Sequence, residues 1–199
     1  MSHGGNDIFV VALDSGGSPL WDATFGDGAD QQGLAITVLD APNEVVVGGQ
    51  MVGSVDFGGG TLTASGTDAF LVRLSLSNGG HVHSARFGDP SNQLVTQLVG
   101  LPDGSVIAGG PLSGGIDFGG GTFFSAGGGD FFLARMDATD GYVWARAYGG
   151  GSAETLGGID SDGTVLVFGG STDGAIDVGT GTLSSASGTP DTLVAHVRL

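Results

Sequence analysis

The stretch DFGGGTLTASGTDAFLVRL, residues 56–74, decides the fold of this chain because it is repeated. Close copies begin at Asp117, as DFGGGTFFSAGGGDFFLARM, and at Asp177, as DVGTGTLSSASGTPDTLVAHV. Its second half, an Asp-led run of mostly apolar residues, occurs four times and begins at Asp7, Asp68, Asp130 and Asp191. Self-similarity at a fixed spacing, here about 61 residues, is typical of repeat proteins.

The repeat organises the 199 residues as a single domain, 1–199. This domain contains three repeat units, at approximately 7–67, 68–129 and 130–190, and an extra strand at 191–199. Apolar residues alternate with a period of two in each unit and helical spacing is absent, so the sequence predicts strands throughout.

The Asp-led strand has one face that is apolar in every copy. Phe9, Val11 and Leu13 form this face in the first copy, and Leu193, Ala195 and Val197 form it in the last. We expect the face to be core in all four copies. The opposite face begins apolar and ends polar, so both faces of the strand carry apolar residues, which predicts sheets stacked against other sheets.

Three further strands follow in each unit, separated by clusters of Pro, Asn, Asp and Gly that close hairpins. The clusters are DAPNE at 40–44, LPDGS at 101–105 and DSDGT at 160–164. The glycine run at 58–60 is interpreted as a connection between the second and third strands of a blade. Four antiparallel strands per unit describe a propeller blade, so we predict an all-β fold, a β-propeller of four-stranded antiparallel blades.

The repeated motif resembles a known bacterial family. The run Asp-Phe-Gly-Gly-Gly-Thr-Leu, the Asp-x-Phe strand starts and the Phe-Gly-Asp triplets at Phe25 and Phe87 are similar to the SBBP-type β-propeller repeat of exported and cell-surface proteins. The resemblance covers essentially the whole chain. It implies a propeller fold and an extracellular or cell-envelope location for the parent protein, and it implies no catalytic residues. His83, where units 1 and 3 have Trp21 and Trp144, departs from the pattern.

Closing a ring is the problem that this strand order raises. Propellers have about four to eight blades, so we expect three units to close as a two-fold, six-bladed homodimer. The chain begins with a third and an outer strand, and its last blade lacks an outer strand that residues 18–26 of a second copy could supply. Residues 7–14 and 191–199 are copies of one strand, and only one copy fits at each junction. The expected ring-closure interface is Phe9, Val11, Leu13, Leu20, Trp21, Phe25, Leu193, Ala195 and Val197.

Composition restricts the partners. The chain has 21 acidic and five basic residues, a formal charge of −16, so we expect neither nucleic acid nor anionic membranes as partners. The absence of cysteine excludes disulfides and thiolate sites. No apolar run is long enough to cross a bilayer, and MSHGGNDIF has no signal-peptide features. The strand pattern that begins at Asp7 favours a segment cut from a longer protein.

The glycine run does not suit phosphate binding, because it lacks the Lys-Ser/Thr of a P-loop and precedes a strand. Asp56, Asp117 and Asp177 recur once per unit, which favours carboxylates that accept hydrogen bonds within Asx turns. Calcium bound by these three aspartates is the alternative, and no other cofactor is expected. The Asp160–Gly163 segment lacks a downstream Glu at the EF-hand position and is interpreted as a hairpin turn.

Catalytic residues should break the repeat, because an active site is normally made once. His81, His83 and Glu154 do so; the two histidines have chelate spacing on one strand face but no third ligand. No nucleophile–base or carboxylate pair is assignable, so we expect a non-enzymatic scaffold or binding module with a protein or glycan ligand. The alternatives are a lyase- or glycosidase-like enzyme with its site in a central channel, and a fragment or engineered half-propeller that only self-assembles.

Overall fold

The computed structural model describes residues 4–179, 181–185 and 189–199, and the regular secondary structure in these ranges consists of β-strands. The paired strands run antiparallel. The prediction of an all-β fold with antiparallel sheets is therefore confirmed.

The strands follow the repeat in the sequence. The N-terminal pair consists of β1 (Ile8–Leu13) and β2 (Pro19–Phe25). The next six are β3 (Gln31–Leu39), β4 (Glu44–Met51), β5 (Ser54–Asp56), β6 (Thr61–Thr63), β7 (Asp68–Ser75) and β8 (His81–Phe87). They are followed by β9 (Gln97–Gly100), β10 (Val106–Leu112), β11 (Gly115–Asp117), β12 (Thr122–Phe124), β13 (Asp130–Met136) and β14 (Tyr142–Tyr148). The last are β15 (Glu154–Ser161), β16 (Val165–Thr172), β17 (Ala175–Asp177), β18 (Thr182–Ser184) and β19 (Asp191–Arg198).

These strands form three larger sheets. The first sheet has the order β3-β4-β7-β8, the second sheet β9-β10-β13-β14, and the third sheet β15-β16-β19. A short hairpin, β5–β6, β11–β12 or β17–β18, is inserted between the second and third strands of each sheet. These hairpins could not be predicted from the sequence, because three-residue strands are too short to give a period-two signal.

Three apolar cores join the N-terminal pair and the three sheets in a row. The N-terminal pair packs on the first sheet, in a core that includes Ile8, Val10, Phe57, Phe70 and Val72. The first sheet packs on the second through Val46, Leu71, Val95, Ala108 and Phe132. The second sheet packs on the third through Ile107, Phe131, Leu133, Phe168 and Leu193. Each layer therefore covers one face of the next.

The expectation that one face of the Asp-led strand is core in all four copies is wrong for the first copy. Phe9, Val11 and Leu13 are 63%, 42% and 54% exposed, whereas Ile8 and Val10 on the opposite face are buried. In β7 and β13 the corresponding face is buried because the preceding layer covers it. No described residue covers this face of β1 in the same way, because the N-terminal pair is the first layer of the row.

Candidate functional site

The aspartates that open the glycine runs lie in the turns of the short hairpins. Asp56 Oδ1 accepts hydrogen bonds from the backbone N–H of Gly58 at 2.7 Å and of Gly60 at 3.0 Å. Asp117 and Asp177 make the same contacts in their own hairpins. These are the contacts of an Asx turn. The three carboxylates lie on separate hairpins, and within the described ranges no three His, Asp or Glu side chains are grouped as metal ligands.

The two histidines with chelate spacing have separate contacts. The imidazole of His81 covers the glycine run, where a Cβ at Gly59 would collide with the ring. His83 Nδ1 lies 2.7 Å from Asp140 Oδ2, in the turn between β13 and β14. The two rings therefore contact different elements: His81 packs on the glycine run, and the half-exposed His83 is hydrogen-bonded to a carboxylate.

A buried glutamine and an aspartate connect the strands at one end of the second sheet. Asp89 Oδ1 accepts hydrogen bonds from the N–H of Ser91 and from Gln93 Nε2, both at 2.8 Å, and Asp89 Oδ2 accepts one from the N–H of Gly115 at 2.6 Å. Burial raises the pKa of Asp89, but the hydrogen bonds together outweigh it and lower this pKa below the ordinary 3.8. Asp27 and Gln31 make the equivalent contacts in the first sheet.

The third sheet uses a different pair at this position, which explains why Glu154 breaks the repeat. Gly150 replaces the aspartate and Glu154 replaces the glutamine. Glu154 Oε2 accepts a hydrogen bond from the N–H of Gly150 at 2.9 Å, and Oε1 accepts one from Thr172 Oγ1 at 3.1 Å. The bond from the Gly150 N–H matches those that Gln31 and Gln93 accept from the N–H groups of Asp27 and Asp89, so Glu154 keeps this contact although its neighbouring aspartate is absent. Glu154 is buried, and both of its carboxylate oxygens accept hydrogen bonds at this end of the third sheet.

The aromatic–glycine pairs that end the outer strands fit against the first residue of the Asp-led strand. Asp68 is fully buried; its Oδ2 accepts hydrogen bonds from the N–H of Ser65 and from Arg86. Among the described residues Asp68 Oδ1 has no hydrogen-bond partner, and it faces Gly88, where a Cβ would lie 2.7 Å from it. The recurring glycine is therefore needed because a larger residue at its position would collide with the carboxylate of the recurring aspartate.

Arg73 forms a buried ionic contact between two sheets. Its side chain is fully buried, with Nε 2.6 Å from Asp140 Oδ1 and one terminal nitrogen 3.2 Å from Glu44 Oε2. It also donates hydrogen bonds to the carbonyl oxygens of Gly104 and Asp137 in the second sheet. This cluster could not be predicted from the sequence, because Asp140 is distant from Arg73 along the chain and no acid recurs at its position in the other units.

The N-terminal end of the row has an open groove. β1 pairs with β2 along one edge, and in the described part of the chain no strand pairs with its other edge. Beside that edge lies a groove of about 550 Å³, lined by both faces of β1 and by Gly33, Leu34, Ile36 and Val47. Leu34 and Ile36 are 42% and 61% exposed. This end therefore combines unpaired backbone with exposed apolar side chains.

The opposite end of the row has a shallow apolar face on the third sheet. Val167 and Val194 are 43% and 77% exposed, and they border a depression of about 290 Å³ with Ile159, Phe168 and Gly169. The three-stranded sheet has no fourth strand beside β19 in the described residues.

The nine predicted interface residues fall into different environments. Phe9, Val11 and Leu13 lie on the open face of the N-terminal pair. Trp21 and Phe25 pack in the core beneath that pair, and Leu193, Ala195 and Val197 pack against the second sheet. Leu20 is exposed, but so are its counterparts Val82 and Val143 in the complete sheets, so its exposure does not distinguish an open end.

Comparison with known proteins gives no assignment: no family model matches the chain, and no curated protein matches it. In the described part of the chain no helix could cross a membrane.

Proposed function

We propose that this chain is a half-propeller that functions as a non-enzymatic scaffold, two copies of which close a six-bladed ring. The observation that supports this proposal is that the two open ends of the row repeat the two sides of its internal interfaces. The all-β sheets and their order are established by the structure; the ring is the proposal.

The internal interfaces share one contact. At the first, Val95 packs against Gly48, where a Cβ would overlap it, and Leu71 flanks this position. At the second interface Leu156 packs on Gly109 and Leu133 in the same way. The small residue is required because the next sheet comes closest there.

The open ends carry the next positions of the same series, with a glycine at the position that holds Val95 and Leu156 at the internal interfaces. The open face of the third sheet has Gly169 with Val194 beside it. Among the described residues, a Cβ at Gly169 would meet only Val194 and the backbone of the neighbouring strand. Gly33, at the sequence position of Val95 and Leu156, borders the groove at the other end. Such head-to-tail surfaces form a closed ring when the rotation between copies closes. Six blades fall within the usual range of about four to eight.

A groove between three turns is a suitable ligand site at one end of the proposed ring. The turns β3–β4, β9–β10 and β15–β16 meet around a groove of about 390 Å³, lined by Asp40, Pro102 and Asp162 among others. Hydrogen bonds from the N–H groups of Thr164 and Val165 lower the pKa of Asp162, so it is ionised at neutral pH. We propose that a protein or glycan binds here, and that the parent protein belongs to the SBBP-type class and acts at the cell surface or outside the cell.

Native mass spectrometry and light scattering of the purified chain at micromolar concentration test the assembly. We expect a species of twice the 19.5 kDa chain mass. Val167→Arg places a charge on the open face of the third sheet and should give a folded monomer. Val82→Arg is the matched control, because Val82 has similar exposure, 47% against 43%, but lies on the outer strand of a complete sheet. A monomeric parent chain would contradict the proposal.

A further inference from the structure

We infer that, at each seam of the proposed ring, β1 of one copy replaces β19 of the other copy beside β16, so that β19 is released. This inference rests on the proposed function, and it concerns which of the two homologous strands holds the copies together.

The first observation is that β1 and β2 already occupy the third and fourth strand positions of a sheet. Ile8 pairs with Phe25 in the N-terminal pair just as Ala69 pairs with Phe87 in the first sheet. Ile8 and Val10 are 2% and 6% exposed, and they pack on the face of the first sheet that holds Val47 and Phe70. Moving β1 aside for another strand would uncover this core.

The second observation is that the groove beside β1 lies where the first and second strands would be in a four-stranded sheet completed by β1 and β2. It runs along the open edge of β1, and Gly33, Ile36 and Val47 form its floor. In the first sheet β3 and β4 stand in these positions beside β7. The occupant that fits is therefore a two-stranded antiparallel hairpin. The β15–β16 hairpin of a second copy is the one whose own sheet has no fourth strand among the described residues.

The third observation is that β1 is the more apolar of the two copies on both faces. On the face directed at the first sheet, Ile8, Val10 and Ala12 correspond to Thr192, Val194 and His196. On the other face, Phe9, Val11 and Leu13 correspond to Leu193, Ala195 and Val197. Exchange would bury the phenylalanine, valine and leucine that are now exposed, in place of Leu193 and the smaller Ala195 and Val197, which β19 now packs against the second sheet. Retaining β19 would leave those three side chains in solvent.

The register of the seam follows from the pairing of β16 with β19. Val167 now pairs with His196, and Gly170 with Leu193. Since β1 is the homologous strand, Val167 should pair with Ala12 of the second copy, and Gly170 with Phe9 of the second copy.

Paired cysteines in the full chain, which has none of its own, test this register. The variant Ala12→Cys, Val167→Cys should form a disulfide-linked dimer on mild oxidation after assembly, since directly paired strand residues are within disulfide reach. The matched variant Val167→Cys, His196→Cys should stay reduced in the dimer. The native mass of the unmodified chain is measured alongside.

The outcomes separate the two claims. A dimeric chain in which the Val167–His196 pair closes within one copy, and the Ala12–Val167 pair does not form, overturns strand replacement but leaves the half-propeller standing. A monomeric chain overturns both. Hydrogen exchange on the unmodified dimer provides a readout that needs no substitution: the amides of β19 should exchange much faster than those of β1, and the reverse order contradicts the inference.

Discussion

Arg73 connects residue chemistry to the packing of whole sheets. Its guanidinium is buried between the first and second sheets and is neutralised by Glu44 and Asp140. Arg135, at the same position of the second sheet, instead meets the exposed Asp103 of its own sheet. Removing one partner of a buried pair leaves an uncompensated charge, whereas exposed pairs contribute little. The two arginines therefore form a natural comparison.

Arg73→Met should lower the free energy of unfolding by about 3–5 kcal/mol, because Glu44 and Asp140 lose their buried cation and only the half-exposed His83 remains beside Asp140. Arg135→Met should lower it by less than about 1 kcal/mol. Urea unfolding followed by tryptophan fluorescence measures both. Equal losses for the two variants would contradict the prediction that the buried arginine contributes more to stability than Arg135.

Gly88→Ala should destabilise the chain by about 2 kcal/mol or more, since the new Cβ would collide with the buried carboxylate of Asp68. Gly151→Ala is the control, because no atom lies near the position of its Cβ. Thermal unfolding of the two variants gives the comparison. A Gly88→Ala variant as stable as Gly151→Ala would disprove the requirement for glycine.

At the scale of elements, aspartate stabilises two kinds of turn. Asp117 accepts two backbone N–H groups on one oxygen in an exposed hairpin turn, so asparagine could replace it. Asp89 uses both oxygens, one for Ser91 and Gln93 and the other for Gly115. The sequence predicts the first kind of turn from recurrence alone. It could not predict the second, which joins segments that are distant in sequence.

Asp89→Asn should lower stability by about 1 kcal/mol at pH 7, because the amide nitrogen cannot accept the Gly115 N–H. Asp117→Asn should be nearly neutral. The folded pKa of Asp89 is lowered, so its contribution is present above its unfolded value near 3.8 and is lost as the pH falls through the folded value. Stability between about pH 2 and 5 should therefore depend less steeply on pH in Asp89→Asn than in the parent chain. Identical acid-unfolding curves would contradict this assignment.

At the scale of the whole molecule, charge opposes assembly. Each copy carries −16, so two copies repel each other and salt should screen the repulsion. Raising sodium chloride from about 20 mM to about 500 mM should tighten the proposed dimer by roughly three- to tenfold. Sedimentation equilibrium measures this change. Weaker association at high salt would indicate that ion pairs, rather than apolar faces, hold the seam.

The order of the long strands could be predicted from the sequence because the repeat places the same alternation in each unit. Which face of β1 is buried could not be predicted from the sequence. The segment from Ile8 to Leu13 is apolar on both faces, and only the presence or absence of a neighbouring layer decides which face is covered. The groove beside β1 could not be predicted for the same reason. It depends on how the sheets are arranged in the row and not on the sequence of any one segment.

The duplicated strand also determines how copies could be joined in one polypeptide. In the proposed ring, residues 7–13 and 191–197 are two copies of one strand that overlap where successive copies meet, so a covalent tandem needs only one of them at the junction. A fusion in which residue 190 of one copy is followed directly by Asp7 of the next would keep the spacing of about 61 residues unbroken. The proposed seam would then become intramolecular, and ring closure would no longer depend on protein concentration.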